Sequence, residues 1–288
     1  MKGIILAAGK GTRLTPATFP MSKILLPVFD RPMIYYPLTT LMMAGIRDIL
    51  IITNETDLNN FKRTLGDGSQ FGVSIQYKIQ YVQRGISDAF LIAEDYIDGD
   101  RACLVLGDNI FYSPGIGQKL QKASEFNGHA LVFGYKVHDP ERFGVVEFDD
   151  DMNVLSLEEK PKEPKSDYAV VGLYFYDGRT SEMAKRLVPS ARGELEITDL
   201  NKLYLEEGDL HVAILDDDTK WFDAGTSESL LISSQFVYEE EKRLGKKILC
   251  PEIIAFEKGF ISKEKLVEWL DGNKDNEYYS AIRKETGC

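Results

Sequence analysis

The sequence predicts an α/β protein with a Rossmann-like, mostly parallel sheet flanked by helices, with antiparallel additions and C-terminal helices. Strand-like and helix-like segments alternate through the first half of the chain, and such alternation builds a parallel sheet covered on both faces. After about residue 140, strand-like segments follow one another with fewer intervening helices, which indicates antiparallel additions. Near the start, the apolar run 3–8 stops abruptly at a glycine, as a buried parallel strand does where it enters a loop.

Each predicted element follows from its own residue pattern. Short β-branched and apolar runs predict strands at 3–8, 48–53, 73–80, 102–108, 129–137, 144–148, 153–159 and 168–176. Helical patterns are found at 32–45, 58–66, 87–97, 116–126, 177–188, 197–207 and 226–244. Pro32 near the start of the first helix and Gly45 at its end are typical helix punctuation. The charged run 239–243 is interpreted as a solvated helix face.

Composition limits the class of protein. The 288 residues allow one large domain or two small ones, with ample room for a core. A net charge of −12 argues against a nucleic-acid partner, because an acidic surface repels phosphate. Cys103, Cys250 and Cys288 cannot form a paired framework, which favours a reducing, cytoplasmic setting. No segment approaches the roughly 18 apolar residues of a membrane span, so we expect a soluble protein with no membrane partner.

The loop after the first strand is the candidate phosphate site. Gly9 and Gly11 allow backbone N–H groups to approach phosphate closely, and Lys10, Arg13 and Lys23 add positive charge. A Walker loop is excluded because no glycine stands five residues before the first glycine of the loop. A dinucleotide fingerprint is excluded because leucine replaces its third glycine, which argues against a nicotinamide oxidoreductase. The alternative is a structural turn with solvated charges.

Two aspartates at predicted strand exits are candidate metal ligands. Asp108, followed by Asn109, ends the strand 102–108, and Asp223 ends a strand-like segment before Gly225. Carboxylate oxygens at the sheet edge suit Mg²⁺, which takes one or two carboxylates together with phosphate oxygens and water. The alternative for both is a turn or helix-cap carboxylate.

Further polar residues at loop positions suit a sugar phosphate and a base. Glu159 and Lys160 project from a strand exit, where the glutamate can accept sugar hydroxyl protons and the lysine can meet phosphate. Arg192 precedes a glycine ahead of a helix that Thr198 is predicted to cap. Gln80 carries both a donor and an acceptor, the equipment for a base edge. Each of these has a simpler interpretation as an ordinary surface residue.

Together the motifs resemble those of the sugar-1-phosphate nucleotidylyltransferases, and within them the thymidylyl branch. The matching segments are LAAGKGTRL (6–14), SKILLPVFDRPMIYYPL (22–38), LGDGSQFG (65–72), LVLGDNIFY (104–112), DPERFGVVEFD (139–149), SLEEKPKEPKSDYAVVGLYFYD (156–177), RGELEITDLN (192–201) and WFDAGTSESLL (221–231). They occur in family order over nearly the whole chain. The resemblance implies transfer of a thymidylyl group from dTTP to glucose 1-phosphate, giving dTDP-glucose and pyrophosphate with Mg²⁺ as the cofactor.

The resemblance also assigns roles to individual residues. It implies nucleotide binding by Leu6, Ala8, Gly9, Gly11, Thr12, Arg13, Gln80, Gly85 and Asp108. It implies sugar-phosphate binding by Asn109, Gly144, Glu159, Lys160, Val170, Tyr174 and Arg192, and metal binding by Asp108 and Asp223. The implied catalytic residues are Arg13, Lys23 and Asp108. Alternatives are a uridylyltransferase that prefers UTP and a non-catalytic nucleotide-sugar sensor on the same fold.

The family pattern implies an organisation as well. Residues 1–240 form the nucleotidyltransferase α/β domain, with a nucleotide-binding part at about 1–140 and a sugar-binding part at about 141–240. Residues 241–288 form a helical extension that packs on the body or at a subunit interface of a homotetramer. The implied pathway is dTDP-deoxysugar biosynthesis, such as that of rhamnose for lipopolysaccharide O-antigen.

The sequence departs from the family pattern at several places. Ala8 replaces a glycine of the thymidylyl branch, and the segment 81–86 differs from the usual loop after the base-reading glutamine. Phe143 and the valine at 171 replace hydroxyl-bearing residues near the sugar. The segment 250–257 resembles one linked to a feedback nucleotide site, but its last residue is Glu257 instead of arginine, and residues 113–115 also differ. An anion there argues against feedback inhibition of the family type.

Overall fold

A nine-stranded mixed sheet forms the centre of the computed structural model, which describes residues 1–273 and 275–288. The strands in chain order are β1 (Lys2–Leu6), β2 (Pro27–Val28), β3 (Arg31–Pro32), β4 (Asp48–Thr53), β5 (Ser74–Ile79), β6 (Ala102–Leu106), β7 (Asn109–Tyr112), β8 (Ala130–Lys136), β9 (Gly144–Phe148), β10 (Val154–Glu159), β11 (Tyr168–Tyr176), β12 (Leu210–Ile214) and β13 (Lys220–Asp223). β2 pairs with β3, and β7 with β13, in small separate ribbons.

The sheet is parallel where the sequence alternates and antiparallel where the alternation loosens. β1 lies between β4 and β6 and is parallel to both, and β5 adds in parallel to β4. β11 pairs antiparallel with β6 and β8, and the hairpin β9–β10 joins its other end. β12 then pairs in parallel with β8. The predicted fold class is therefore confirmed, and the carboxyl ends of β1, β4, β5 and β6 meet at one edge.

Helices cover both faces of the sheet. They are α1 (Tyr35–Met43), α2 (Leu58–Leu65), α3 (Asp88–Ile92), α4 (Glu94–Ile97), α5 (Ile116–Glu125), α6 (Thr180–Lys185), α7 (Ile197–Glu206), α8 (Ser227–Leu244), α9 (Pro251–Glu257), α10 (Lys263–Asp271) and α11 (Glu277–Thr286). None of the helices in the described ranges is long and apolar enough to cross a membrane.

Two hydrophobic cores lie on opposite faces of the sheet. Successive strand residues point to opposite faces, so Ile5 joins the core under α1 and α5 while Ile4 joins the core under α3 and α7. The same division separates Val105 from Leu104 on β6. Because every central strand is buried on both faces, these strands appear in the sequence as continuous apolar runs.

The predicted helix 87–97 is wrong as a single helix, since the chain forms α3 and α4 with a break at Ala93. The carbonyl oxygen of Ile92 accepts a hydrogen bond from Lys78 Nζ at 2.9 Å. An ammonium from the neighbouring strand β5 thus occupies a carbonyl that a continuous helix would have used. Helix α8, in contrast, begins as its pattern predicts, with a capping box between Thr226 and Ser229.

The charged run 239–243 is not a fully solvated face, because Glu241 is buried. Glu241 is ion-paired with the buried Arg31 of β3 and lies 2.8 Å from Lys247 Nζ, and it accepts the backbone N–H of Ile248 at 3.1 Å. A buried carboxylate needs such partners to offset its lost hydration. These contacts attach the chain that follows α8 to the β2–β3 ribbon, and α9 and α11 pack beyond it, with α9 also against α1.

Candidate active site

A cavity of about 350 Å³ opens at the carboxyl edge of the sheet and is lined by most of the side chains that the sequence singles out. The predicted residues on its wall are Arg13, Asp108, Asn109, Gly144, Glu159, Lys160, Val170, Tyr174, Arg192 and Asp223. The wall also contains Ile86, Leu106, Arg142, Phe143, Gly172, Glu194, Glu196, Ile197, Thr198 and Trp221. Sheet topology explains the gathering, because the loops that follow β1 and β6 leave from the same edge.

Asp108 and Asp223 are adjacent because β7 and β13 pair. Asp223 is in register with Asn109, and the N–H of Ala224 donates to the Asp108 carbonyl oxygen at 2.9 Å. The two carboxylates interact electrostatically. Burial and the nearby Asp108 charge raise the pKa of Asp223, although Lys23 and Arg13 oppose the shift. The two carboxylates repel each other, and a cation bound between them would relieve that repulsion.

Lys23 and Asn109 hold Asp108 in its ionised form. Burial alone would raise the pKa of Asp108, but the ion-paired ammonium of Lys23 and the hydrogen bonds from Lys23 and Asn109 lower it overall. Asn109 Nδ2 donates to Asp108 Oδ1 at 3.0 Å, while Asn109 Oδ1 accepts from Trp221 Nε1 at 2.7 Å and from the Gly172 N–H at 3.1 Å. Trp221 and Gly172 therefore orient the Asn109 amide so that its NH₂ group faces Asp108.

The glycine loop places Arg13 beside the carboxylate pair. Gly11 has φ +62° and caps a short 3₁₀ turn, Thr12–Leu14, so the loop turns back toward the sheet. The side chain of Arg13 is exposed and lines the cavity. A Cβ on Gly225 would lie 2.6 Å from Arg13 Nη2 and 2.9 Å from Asp223 Oδ1. A side chain at 225 would therefore displace the end of the Arg13 side chain from its place beside Asp223.

The sugar-phosphate side of the cavity is organised around Glu159. Thr198 Oγ1 donates to Glu159 Oε2 at 2.6 Å, and Arg192 Nη2 donates to Glu159 Oε1 at 3.2 Å. Arg192 is held in turn by Glu196, at 2.8 Å from Nη2 and 3.1 Å from Nε. Burial alone would lower the pKa of Arg192, but the neighbouring carboxylates raise it overall. A Cβ on Gly144 would lie 2.9 Å from Thr198 Oγ1, so glycine there keeps this network accessible.

The predicted cap at Thr198 is wrong. Helix α7 begins at Ile197 with Glu196 in the N-cap position, and no side chain makes the capping hydrogen bond. The Thr198 hydroxyl donates to Glu159 of β10 instead. A tertiary acceptor has replaced the local one, which the sequence around 198 does not reveal.

Lys160 and Tyr174 complete this part of the wall. Lys160 has φ +47°, a left-handed conformation that is uncommon outside glycine, and its Nζ lies 3.5 Å from Glu159 Oε1. Its backbone N–H donates to the Phe143 carbonyl at 2.9 Å, which holds the turn after β10. Tyr174 is buried on β11, and burial together with the Glu159 charge raises its pKa.

The remaining predicted nucleotide residues lie at the same edge but outside the wall of this cavity. They are Leu6, Ala8, Gly9, Gly11, Thr12, Lys23, Gln80 and Gly85. Gln83 Nε2 donates to the Ala8 carbonyl at 2.6 Å, so the loop after β5 is bonded to the glycine loop. Gln80 is buried, 6% exposed, and bonded to Asp88.

The loop after β5 is also bonded to the segment that precedes α7. The Leu195 N–H donates to the Arg84 carbonyl at 2.6 Å, and the Ser87 N–H donates to the Leu195 carbonyl at 3.2 Å. Gly85 has φ +99°, and a Cβ there would lie 2.5 Å from the Leu195 carbonyl oxygen. The predicted nucleotide loop and the predicted sugar-phosphate loop are thus one connected unit.

Sequence reasoning missed the contacts by which four residues support the site: Thr198, Glu196, Trp221 and Asp88. Their partners lie far along the chain, as with Trp221 and Asn109, 112 positions apart. The sequence did offer a signal for Trp221. A buried indole N–H usually has an acceptor, and the segment 221–225 was already singled out. For Thr198, Glu196 and Asp88, no local feature of the sequence indicated the supporting contact.

Comparison with known proteins extends these observations. The nucleotidyl transferase family model matches residues 2–240. A glucose-1-phosphate thymidylyltransferase of Neisseria meningitidis is 55% identical over 278 residues, 96% of each chain. The corresponding protein of Xanthomonas campestris is 53% identical over 286 residues, 98% of this chain and 97% of the relative.

Solved structures agree with the sequence matches. A Bacillus anthracis structure, described as a glucose-1-phosphate thymidylyltransferase in complex with sucrose, has a TM-score of 0.76 and 44% identity over 82% of this chain and 94% of that one. A UDP-glucose pyrophosphorylase complexed with UDP-glucose shares the fold, with a TM-score of 0.72 and 23% identity over 83% of this chain and 98% of its own. From these matches, the chain belongs to the nucleotidyl transferase family and, within it, to the glucose-1-phosphate thymidylyltransferases.

Proposed function

We propose that this enzyme transfers the thymidylyl group of dTTP to the phosphate of α-D-glucose 1-phosphate, releasing pyrophosphate. The observation that supports it best is the single cavity that contains two groups of charges. Asp108, Asp223 and Arg13 suit a metal-bound triphosphate, while Glu159 and Arg192 suit a sugar hydroxyl and its phosphate. The product, dTDP-glucose, is the entry point of dTDP-deoxysugar biosynthesis.

The reaction is an in-line displacement at the α-phosphorus of dTTP. A phosphate oxygen of glucose 1-phosphate forms the new P–O bond as the bond to the β-phosphate oxygen breaks, and the electron pair leaves with pyrophosphate. The nucleophile is already an anion, so no general base is required. Catalysis then consists of positioning and charge stabilisation, with Arg13 and Lys23 neutralising the crowded phosphates.

The remaining contacts follow from the loops. The backbone N–H groups of the glycine loop approach the triphosphate, and the residues proposed to hold the nucleotide there are Leu6, Ala8, Gly9, Gly11 and Thr12. Gln80 and Gly85 contact the base. The residues proposed to bind glucose 1-phosphate are Gly144, Glu159, Lys160, Val170, Tyr174 and Arg192. Asn109 positions Asp108 through a hydrogen bond from its amide.

The residues of the site fit a divalent cation. Nucleotidyl transferases generally use a divalent metal ion. Two adjacent carboxylates whose repulsion helps to raise the pKa of Asp223 favour such an ion, and carboxylates combined with phosphate oxygens are the ligand set of Mg²⁺. No group of three or more potential protein ligands occurs in residues 1–273 and 275–288, which suits a metal shared with substrate. Asp108 and Asp223 would hold Mg²⁺, which when bound neutralises negative charge on the phosphates.

We further propose a homotetramer, with the helical extension 241–288 at or near subunit contacts. Helix α8, which leads into this extension, exposes large apolar side chains: Leu231 is 67% exposed, Ile232 49% and Tyr238 44%. Phe29 packs edge-on against Tyr238 at 5.4 Å and is itself 40% exposed. A patch of this kind suits a second copy of the chain.

Within the α/β domain, residues 1–140 are the proposed nucleotide-binding part and residues 141–240 the proposed sugar-binding part. The free cysteines favour a location in the cytoplasm, where thiols stay reduced.

Pyrophosphate release tests the proposal. We expect turnover with glucose 1-phosphate, dTTP and Mg²⁺, with UTP run in parallel because uracil presents the same hydrogen-bonding edge as thymine. Arg13→Ala should lose most turnover and fold normally, because the side chain is exposed. Arg63→Ala, which removes an exposed arginine of α2, is the matched control and should keep full turnover. Near-normal turnover in Arg13→Ala, or silence of the unaltered enzyme, would contradict the assignment.

A further inference from the structure

A buried chain of hydrogen bonds controls the side-chain amide of Gln80. Gln80 Nε2 donates to Asp88 Oδ2 at 2.9 Å, and Arg84 Nη2 is ion-paired with Asp88 Oδ1 at 2.7 Å. Asp88 is 1% exposed and Gln80 6% exposed, whereas the side chain of Arg84 is 56% exposed. The carboxylate therefore lies between a buried amide and a guanidinium at the surface.

This arrangement determines which end of the amide remains available. A carboxylate has acceptors and no donor, so the NH₂ group of Gln80, and not its carbonyl, must face Asp88. The carbonyl oxygen, Oε1, is left over. No donor from the described part of the chain bonds to it, and it is not among the polar atoms sealed from solvent. The free polar atom of the Gln80 side chain is thus its carbonyl oxygen, a hydrogen-bond acceptor, and not its NH₂ group.

The acceptor lies at the nucleotide edge of the sheet. Gln80 directly follows β5, and its N–H donates to the Thr53 carbonyl at the end of β4 at 2.8 Å. Three residues later, Gln83 bonds to Ala8 in the glycine loop. The carboxyl ends of β4 and β5 and the loop after β1 therefore surround the position of Gln80.

We propose that Asp88, paired with Arg84, is a positioning residue that fixes the Gln80 carbonyl toward the base, so that the site selects pyrimidines with a ring N–H at N3 over cytosine. The inference rests on the proposed function, in which Gln80 contacts the base. Thymine and uracil carry a hydrogen on N3 and donate to the carbonyl. Cytosine carries a lone pair on N3, which would face the carbonyl oxygen and leave two acceptors opposed.

Arg84 supports the orientation of the Gln80 amide through its ion pair with Asp88. Its guanidinium is ion-paired with Asp88 Oδ1, which leaves Asp88 Oδ2 as the acceptor for the Gln80 amide. A rotated amide would place its carbonyl oxygen against the carboxylate at the 2.9 Å now occupied by a hydrogen bond. The buried location removes water that could compensate. The amide therefore has one stable orientation.

The first test uses the unaltered enzyme with four nucleotides at fixed glucose 1-phosphate: dTTP, dUTP, dCTP and N3-methyl-dTTP. We expect dUTP to keep kcat/KM within a few fold of dTTP, and dCTP and N3-methyl-dTTP each to lose between about tenfold and a hundredfold, the usual effect of one buried unpaired polar group. A kcat/KM for dCTP within threefold of dTTP would overturn the proposal.

The second test changes the acceptor. Asp88→Asn offers either a donor or an acceptor, so Gln80 can present either end of its amide to the base. The ratio of kcat/KM for dTTP to that for dCTP should fall at least about fivefold, with the change in nucleotide KM and not in kcat. Asp95→Asn is the matched control: it removes an exposed carboxylate paired with Lys78 outside the site, and the ratio should not change.

The outcomes separate this inference from the proposed function. If the unaltered enzyme releases no pyrophosphate with any nucleotide, the proposed function fails. If it turns over dTTP and Asp88→Asn keeps the dTTP-to-dCTP ratio of the control, the function holds and the positioning role of Asp88 is wrong. If Asp88→Asn does not fold, the unaltered enzyme still provides a contradicting outcome, since a kcat/KM for dCTP within threefold of that for dTTP overturns the proposal.

Discussion

Removing the hydroxyl of Thr198 should weaken glucose 1-phosphate binding without affecting the nucleotide. Thr198→Val keeps the shape of a 3% exposed side chain and deletes the donor that lies 2.6 Å from Glu159 Oε2. The other oxygen of Glu159 keeps its contacts with Arg192 and Lys160. The variant therefore frees one end of the carboxylate and leaves the cavity otherwise intact.

The magnitude follows from the strength of that bond. A hydrogen bond to a charged group contributes about 1.5–3 kcal/mol, and the 23% exposure of the Glu159 side chain favours the lower end because water can replace the hydroxyl. A loss of about 1.5 kcal/mol shifts the equilibrium between the correctly placed carboxylate and its other positions roughly tenfold. The KM for glucose 1-phosphate should therefore rise about tenfold, while the KM for dTTP stays within twofold.

Initial rates of pyrophosphate release, measured with each substrate varied at saturating levels of the other, give both KM values. Thr198→Ser keeps the hydroxyl and should remain within about twofold of the unaltered enzyme in both. An unchanged KM for glucose 1-phosphate in Thr198→Val, or an equal rise in both KM values, would refute the role assigned to this contact.

Three further predictions concern the metal pair and the core. Gly225→Ala should reduce kcat by more than about tenfold, because its Cβ would lie 2.6 Å from Arg13 Nη2 and 2.9 Å from Asp223 Oδ1; unchanged kcat would contradict the close approach seen here. Chelation of divalent ions should abolish turnover and added Mg²⁺ should restore it, with persistent activity in chelator as the opposing result. Burial raises the pKa of Glu252 above its ordinary 4.5, so ionising it destabilises the folded state as pH rises from that value; the Tm of Glu252→Gln minus that of the unaltered protein should become more positive between pH 5 and pH 8, and a difference that does not change with pH would argue against the buried acid.

Much of the fold was predictable because each signal was local. β1, β4 and β6 are apolar runs of strand length, and the glycine after β1 and the aspartate after β6 indicated an edge with ligand-binding loops. The start of helix α8 at Thr226 was predicted in the same way. Arg13, Asp108 and Asp223 line one cavity with most of the predicted sugar-phosphate residues, whereas the glycines of the loop, Gln80 and Gly85 lie outside its wall. The roles of all these residues remain predictions.

The rest depended on contacts between distant parts of the chain. At the break at Ala93, Lys78 of another strand bonds to the Ile92 carbonyl oxygen, and the Thr198 hydroxyl bonds to Glu159 of β10. The adjacency of Asp108 and Asp223 requires the pairing of β7 with β13. Propensity and periodicity describe a segment and its neighbours in sequence, so they contain no information about such tertiary partners.

The most direct test follows the label of dTTP carrying ³²P at the α-phosphorus through one reaction with glucose 1-phosphate and Mg²⁺. Thymidylyl transfer predicts that all consumed label appears in dTDP-glucose and none in pyrophosphate, with one pyrophosphate released for each sugar nucleotide formed. Label recovered as dTMP without a sugar nucleotide, or no consumption of dTTP while another nucleotide is used, would contradict the account.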